Sequence, residues 1–151
     1  MSISAAERAY RHVKSAILAG SLPGGELLTS DQRQSIDRAR TEASAASGLD
    51  FHVYVGGSGG EDPRAAAHRL LSTLPRAENA VLVFLDPAAR ALEIVTGSTA
   101  HRRLDDGACS LAALSMQAAF AAGDLAGGLV HGVHQLGDHA QQPASLHTGT
   151  P

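Results

Sequence analysis

The stretch VLVFLDPAARALEIVTGSTAHRRLDD, residues 81–106, decides the fold of this chain. Its first five residues are apolar without a break, the pattern of a strand covered on both faces. Asp86-Pro87-Ala88-Ala89-Arg90 carries turn chemistry: a carboxylate able to bond nearby backbone amides, then a proline with a preset torsion. Residues 91–96 read as a second strand, antiparallel to the first, and Gly97 ends it. A short helix over 99–104 and the carboxylates of Asp105 and Asp106 close the stretch.

Upstream, FHVYVG (51–56) alternates Phe51, Val53 and Val55 with His52 and Tyr54, which is strand period. GGSGGEDPR follows as a glycine loop and a helix start, with Asp62 as N-cap and Pro63 in the first turn. Ala66, Leu70 and Leu74 share one helical face, and Pro75 ends it. Strand 51–56, helix 63–74 and strand 81–85 therefore form a βαβ unit, whose crossover is expected to be right-handed. Earlier still, Thr29 and Gln32 fit a capping box, and Ile36, Ala39, Ala43 and Ala46 make an apolar stripe. Gly48 suits the left-handed end of that helix. Residues 4–18 carry a stripe of Ala6, Tyr10, Val13 and Ile17 before Gly20, Pro23, Gly24 and Gly25 break it. Residues 1–27 thus read as an N-terminal arm, helical in part.

Downstream, residues 108–122 are apolar nearly all round, which predicts a buried helix. Gly123 ends it, Asp124 caps the next, and Leu125, Leu129, Val133 and Leu136 give that last helix a stripe. Residues 140–151 are polar, contain Pro143 and Pro151, and read as a C-terminal tail. The expectation is one α/β domain over residues 28–139. It is a three-layer α/β/α sandwich with a small mixed sheet: the βαβ unit plus an antiparallel hairpin strand.

Composition narrows the function. Of 151 residues 44% are hydrophobic, enough for a core, but only 3% are aromatic and none is Trp. The core must come from Leu, Val, Ile and Ala, and the surface has few aromatic platforms for bases or sugars. The net charge of −3 leaves no basic footprint for nucleic acid. Cys109 is the only cysteine, so no intrachain disulfide forms, and its apolar setting predicts a buried, inert thiol. No apolar run reaches membrane-spanning length. Glu7, Arg8, Arg11 and Lys14 interrupt the place where a signal peptide would be apolar, so the cytoplasm is the expected compartment.

Three constellations bear on chemistry. The loop of Gly56, Gly57, Gly59 and Gly60 joins a strand to a helix, where amides and the helix dipole favour anions. Glu61 and Asp62 already satisfy that dipole and repel phosphate, so the loop reads as a connector and no nucleotide cofactor is expected. Asp86, Asp105 and Asp106 form a candidate acidic corner if the loops beyond the middle strands converge. Three carboxylates would suit Ca²⁺ or Mg²⁺; equally, Asp86 begins a turn and Asp105 or Asp106 caps the helix that follows. His131, His134 and Asp138, at i, i+3 and i+7, either ligate zinc or form the polar face opposite the last helix's leucine stripe. No G-x-S-x-G pattern marks a nucleophile.

From Leu28 onward the order of elements resembles the TPM-domain family, with its thylakoid acid-phosphatase-like fold. Leu28-Thr29-Ser30-Asp31-Gln32-Arg33 matches its opening L-T/S-x-x-Q/E-R. Gly48-Leu49-Asp50-Phe51-His52-Val53 leads into a strand, Ala80-Val81-Leu82-Val83-Phe84 forms the next, and Leu104-Asp105-Asp106 precedes the long helix. Phe120-Ala121-Ala122-Gly123-Asp124-Leu125 opens the closing motif, and the whole looks like a soluble actinobacterial branch of unassigned function. The resemblance implies a three-layer α/β/α domain, calcium near the acidic loops, and phosphatase or adaptor roles. It places Asp86 and Asp106 on the family's acidic positions. Where the family has I-E-V-G-Y-G this chain has Ile94-Val95-Thr96-Gly97-Ser98-Thr99, so one ligand or orienting group is missing. The functional expectation is a protein-interaction or regulatory module that works through a protein partner and binds divalent cations weakly. The alternative is a divalent-metal-dependent phosphatase holding its ion at Asp86, Asp105 and Asp106.

Overall fold

A computed structural model describes residues 28–141. The N-terminal arm and most of the polar tail lie outside the described residues. Helix α1 (Ser30–Ser47) starts at the Thr29 cap: the Thr29 hydroxyl accepts from Gln32 N at 3.0 Å, and Gln32 Oε1 accepts from Thr29 N at 2.9 Å. Gly48, at φ 80°, ends α1 in the left-handed region. Strand β1 (Asp50–Val55) follows, then the glycine loop and α2 (Pro63–Ser72). A 3₁₀ turn (Ala77–Asn79) feeds β2 (Ala80–Asp86), and a tight turn leads to β3 (Ala91–Thr96). The chain closes with α3 (Ser98–His101), α4 (Asp106–Ala121) and α5 (Leu125–Gln141).

The sheet has the order β1-β2-β3. β1 runs parallel to β2, from Asp50 opposite Ala80 to Val55 opposite Leu85; β3 is antiparallel, with Asp86 opposite Ala91 and Val81 opposite Thr96. This is the expected small mixed sheet of an α/β sandwich. Every residue of β2 is buried, as its unbroken apolar run requires of a central strand.

Side-chain alternation divides the core in two. Phe51, Val53, Val55, Val81, Val83, Leu85 and Ile94 face a layer made by α1, α5 and α4. Tyr54, Ala80, Leu82, Phe84 and Val95 face α2 and its Ala67, Leu70 and Leu71. In the thicker layer α5 packs against both α1 and α4. Missing side chains allow the close approach. A Cβ at Gly132 would lie 2.0 Å from the Met116 Cε of α4, and one at Gly137 would lie 2.8 Å from the Ala43 Cβ of α1. Helix α5 also runs on to Gln141, with Ala140 fully buried and its carbonyl accepting from the Arg103 guanidinium. Helix α5 thus takes in Ala140 and Gln141, the first two residues of the segment expected to be the tail.

The greater departure concerns α4. The sequence reading predicts a helix buried on all sides. Only Ala108, Ala112 and Met116 are buried, while Leu111 is 62% and Leu114 64% exposed. The cause is position within the layer. α4 lies at its β3 edge, against α5 and β3, and has no neighbouring helix on its far side among the described residues.

Candidate functional site

The expected acidic corner does not assemble. Among the described residues no three His, Cys, Asp or Glu side chains are grouped to hold a metal ion. The reason is topological. β3 is antiparallel to β2, so it carries the chain back from Asp86 to the start of β2, about 17 Å at 3.3–3.4 Å per residue. There Gly97 N donates to Ala80 O at 2.9 Å, and α3 packs on the 3₁₀ turn. The segment leading to Asp105 and Asp106 thus departs from the opposite end of β2 to the one Asp86 occupies.

Each carboxylate has structural work instead. Asp86, 4% exposed, accepts at Oδ2 from the Ser58 amide (3.0 Å) and the Ser58 hydroxyl (2.6 Å), and at Oδ1 from Ala89 N (3.2 Å). It ties the glycine loop to the β2–β3 turn, a partnership that no local motif announces because the two residues lie 28 positions apart. Asp105 caps α4 by accepting from Ala108 N at 2.9 Å, and Asp106 sits exposed in the first turn, where its charge suits the helix dipole. Near the loop, Asp62 caps α2 through Ala65 N, and Glu61 accepts from Arg69 Nε at 2.9 Å.

Replacing Asp86 with Asn swaps one accepting oxygen for an NH₂ that meets a donor. Asp86→Asn is therefore expected to lower the unfolding free energy by about 1–3 kcal/mol. The check is a lower denaturant midpoint at unchanged slope; an unchanged midpoint would mean that the clasp does not hold the loop.

The histidines do not converge either. His134 Nε2 pairs with Glu42 Oε1 of α1 at 3.1 Å, and His131 and Asp138 lie exposed on the outer side of α5. Cys109 is half-buried, and its thiol is pushed up to about 11 by burial and by the charges of Asp106 and Asp105, which leaves it protonated at neutral pH. Burial, with the Asp86 charge second, also raises the Tyr54 phenol; its hydroxyl donates to Gly57 O at 2.6 Å. No helix among the described residues is long and apolar enough to cross a membrane.

What the structure does present is the outer face of α4. Leu111 and Leu114 are the large apolar side chains exposed among the described residues, and they are adjacent, one helical turn apart. Gly107, Ala118 and Ala121 continue the same exposed stripe. From Gly107 to Gly123 there is no Asp, Glu, Lys, Arg or His. An exposed apolar stripe of this kind, with no helix packed on its outer side among the described residues, suits a docking surface. The sequence reading missed it, although Ser110 and Gln117, seven residues apart, mark the water-facing side of this helix.

The chain belongs to the family described as a domain of unknown function, DUF5130, whose model matches residues 10–137. That corrects the resemblance to the TPM-domain family. The motifs behind it, a capped helix, an alternating strand and an N-capped long helix, are those that any domain with this order of elements needs. The match also begins inside the segment read as a separate arm. An uncharacterised protein of Mycobacterium tuberculosis, found in two strains, is 33% identical over 102 residues, 68% of this chain. The chain spans 60% of the length of these curated relatives. Three solution structures share the fold. The N-terminal domain of the cg2496 protein from Corynebacterium glutamicum has a TM-score of 0.63 at 20% identity, covering 78% of each chain. The BA42 protein from the psychrophilic Bizionia argentinensis has 0.66 at 20%, covering 76% of this chain and 82% of its own. The N-terminal domain of a P. gingivalis protein has 0.69 at 19%, covering 92% of each.

Proposed function

We propose that this member of the family is a protein-interaction module rather than a catalyst, and that it docks its partner on the outer face of α4. The observation that carries the reading is the exposure of Leu111 and Leu114 on a helix face without charge. The described residues do not cover these side chains, and an apolar surface left to water is a cost that a bound partner removes. The rest of the molecule supports the reading. The polar groups at the strand ends are bonded to one another: the Ser58 hydroxyl is engaged by Asp86, and Thr96 Oγ1 lies 3.3 Å from His101 Nδ1. A face of this composition selects by shape and apolar fit, because it has no charge with which to steer or exclude.

A photo-activatable residue placed at Gln117, beside the leucines, tests this in living cells. Irradiation is expected to yield a covalent adduct heavier than the chain, reduced at least roughly tenfold by Leu111→Glu with Leu114→Glu. The same probe at exposed Arg38 of α1 serves as the contrasting position. Absence of an adduct at Gln117, or equal adducts at both positions, would refute docking through α4.

A further inference from the structure

The helical layer is wider than the sheet beneath it. α1 lies against β1, α4 lies against β3, and α5 packs between the two helices. Helix axes stand about 8–10 Å apart and strands about 4.8 Å, so α4 reaches about 3–5 Å beyond β3, roughly the place of one more strand. The leucine stripe is on that side. Met116 and Phe120 meet α5 at Gly132 and Gly128. At about 100° per residue, Leu111 and Leu114 stand about 140° and 160° round α4 from Met116, away from α5 and toward the space beyond β3.

The edge of β3 carries main-chain groups that fit the same place. Gly97 N donates to Ala80 O, and Gly56 N donates to Leu85 O. These two bonds fix the ladder: Ala80, Leu82, Phe84 and Asp86 bond toward β3, and the residues between them bond toward β1. Ala91, Glu93 and Val95 therefore answer from β3. The N–H and C=O groups of Leu92, Ile94 and Thr96 point away from the sheet, where no described residue bonds them. Leu92 and Thr96 are partly exposed. The opposite edge is closed. There Phe51 N donates to Ser44 Oγ at 3.0 Å, the Arg40 guanidinium donates to Phe51 O at 3.3 Å, and Val53 and Val55 are buried.

We infer that the partner segment docked on α4 is an extended strand, which adds to the free edge of β3 and runs beneath the leucine stripe. The inference rests on the docking reading above and gives the partner its chemistry. Alternating donors and acceptors along a strand are matched by the main chain of another strand, whereas a helix has already used its own. The two faces of the place set the side chains. Leu92 and Ile94 lie on the α4 side of β3, while Glu93 lies on the α2 side and accepts from Arg64 at 3.0 Å. Every second residue of the added strand thus meets α4 and is apolar. The residues between them lie beside the Glu93–Arg64 pair and water, and are polar. Proline is excluded where the added strand must donate to β3.

Displayed random peptides of about twelve residues, panned on the pure chain, test this. Enriched sequences are expected to place apolar residues at every second position. Their binding should fall at least roughly tenfold on Leu111→Glu with Leu114→Glu. In a synthetic copy of an enriched peptide, N-methylation should cost roughly tenfold at alternate residues and little between them, because only those amides face β3. With that peptide bound, the Leu92, Ile94 and Thr96 amides should exchange with deuterium at least roughly tenfold more slowly than in the free chain. No enrichment over an uncoated surface overturns the inference. So do apolar residues at helical spacing with N-methylation costs that do not alternate. So do Leu92, Ile94 and Thr96 amides that already exchange as slowly in the free chain as those of β2, since the chain then covers its own edge. In each of these cases a cellular adduct at Gln117 that the two glutamates remove leaves the α4 docking reading standing, and only the strand is refuted.

Discussion

Gly97→Ala is expected to destabilise the domain by about 3 kcal/mol or more, a penalty at the upper end for one added methyl group. Gly97 has φ −73° and ψ 172°, which any residue adopts, so backbone freedom is not the issue. Space is. A Cβ built there lies 1.9 Å from the Ala77 carbonyl oxygen and 2.6 and 2.7 Å from the Glu78 carbonyl carbon and Cα. These are backbone atoms and cannot rotate aside. Gly97 N is also bonded to Ala80 O, so the junction of β3 with α3 is held against the entrance to β2. Relief requires moving the 3₁₀ turn, breaking that bond, or both. In a thermal melt the loss corresponds to a fall of roughly 10 °C. A change of less than about 2 °C would show that the 3₁₀ turn yields freely and that this contact does not constrain the fold.

Phe84→Ala is the second substitution with a large effect, expected to cost about 3–5 kcal/mol. Phe84 lies on the central strand, 2% exposed, with its ring facing α2. Its centroid is 4.8 Å from that of Tyr54, at 26° between planes, in a domain with few aromatics. Among the described residues this side of the sheet has one helix, α2, so few side chains can close the void that truncation leaves. The stacked pair adds about 0.5–1.5 kcal/mol beyond burial, lost in the same step. Chemical denaturation of Phe84→Ala beside Leu111→Ala provides the comparison, since an exposed leucine should change stability by no more than about 0.5 kcal/mol. A Phe84→Ala variant that unfolds at the wild-type midpoint would contradict a closely packed core beneath α2.

Most of the fold is legible in local chemistry. The Thr29–Gln32 capping box, the Asp62-Pro63 start of α2 and the unbroken apolar run of β2 each signal their own element, because caps and covered strands depend on residues close in sequence. What was not legible depends on neighbours remote in sequence. Asp86 reads equally as a ligand or as a turn residue until Ser58, on another loop, is found bonded to it. Asp105 and Asp106 look near Asp86 when strands are counted, but the direction of β3 sends them from the other end of β2. The α4 segment is apolar all round, and apolar residues are compatible with burial; only the placement of α4 at the layer's edge shows that half of them meet water. The exposed leucines of α4 are therefore invisible to a rule that treats hydrophobicity as a measure of depth.

The outward leucines of α4 also bear on how this family diverges. Among the described residues Leu111 and Leu114 lie apart from the core, so the packing seen there exerts little selection on them, and drift toward polar residues is the expected fate of such positions. On the docking proposed above, lineages that keep both, together with the small residues around them, are expected to be those that keep the partner. A lineage that loses them retains a sound scaffold, free to be recruited for another task.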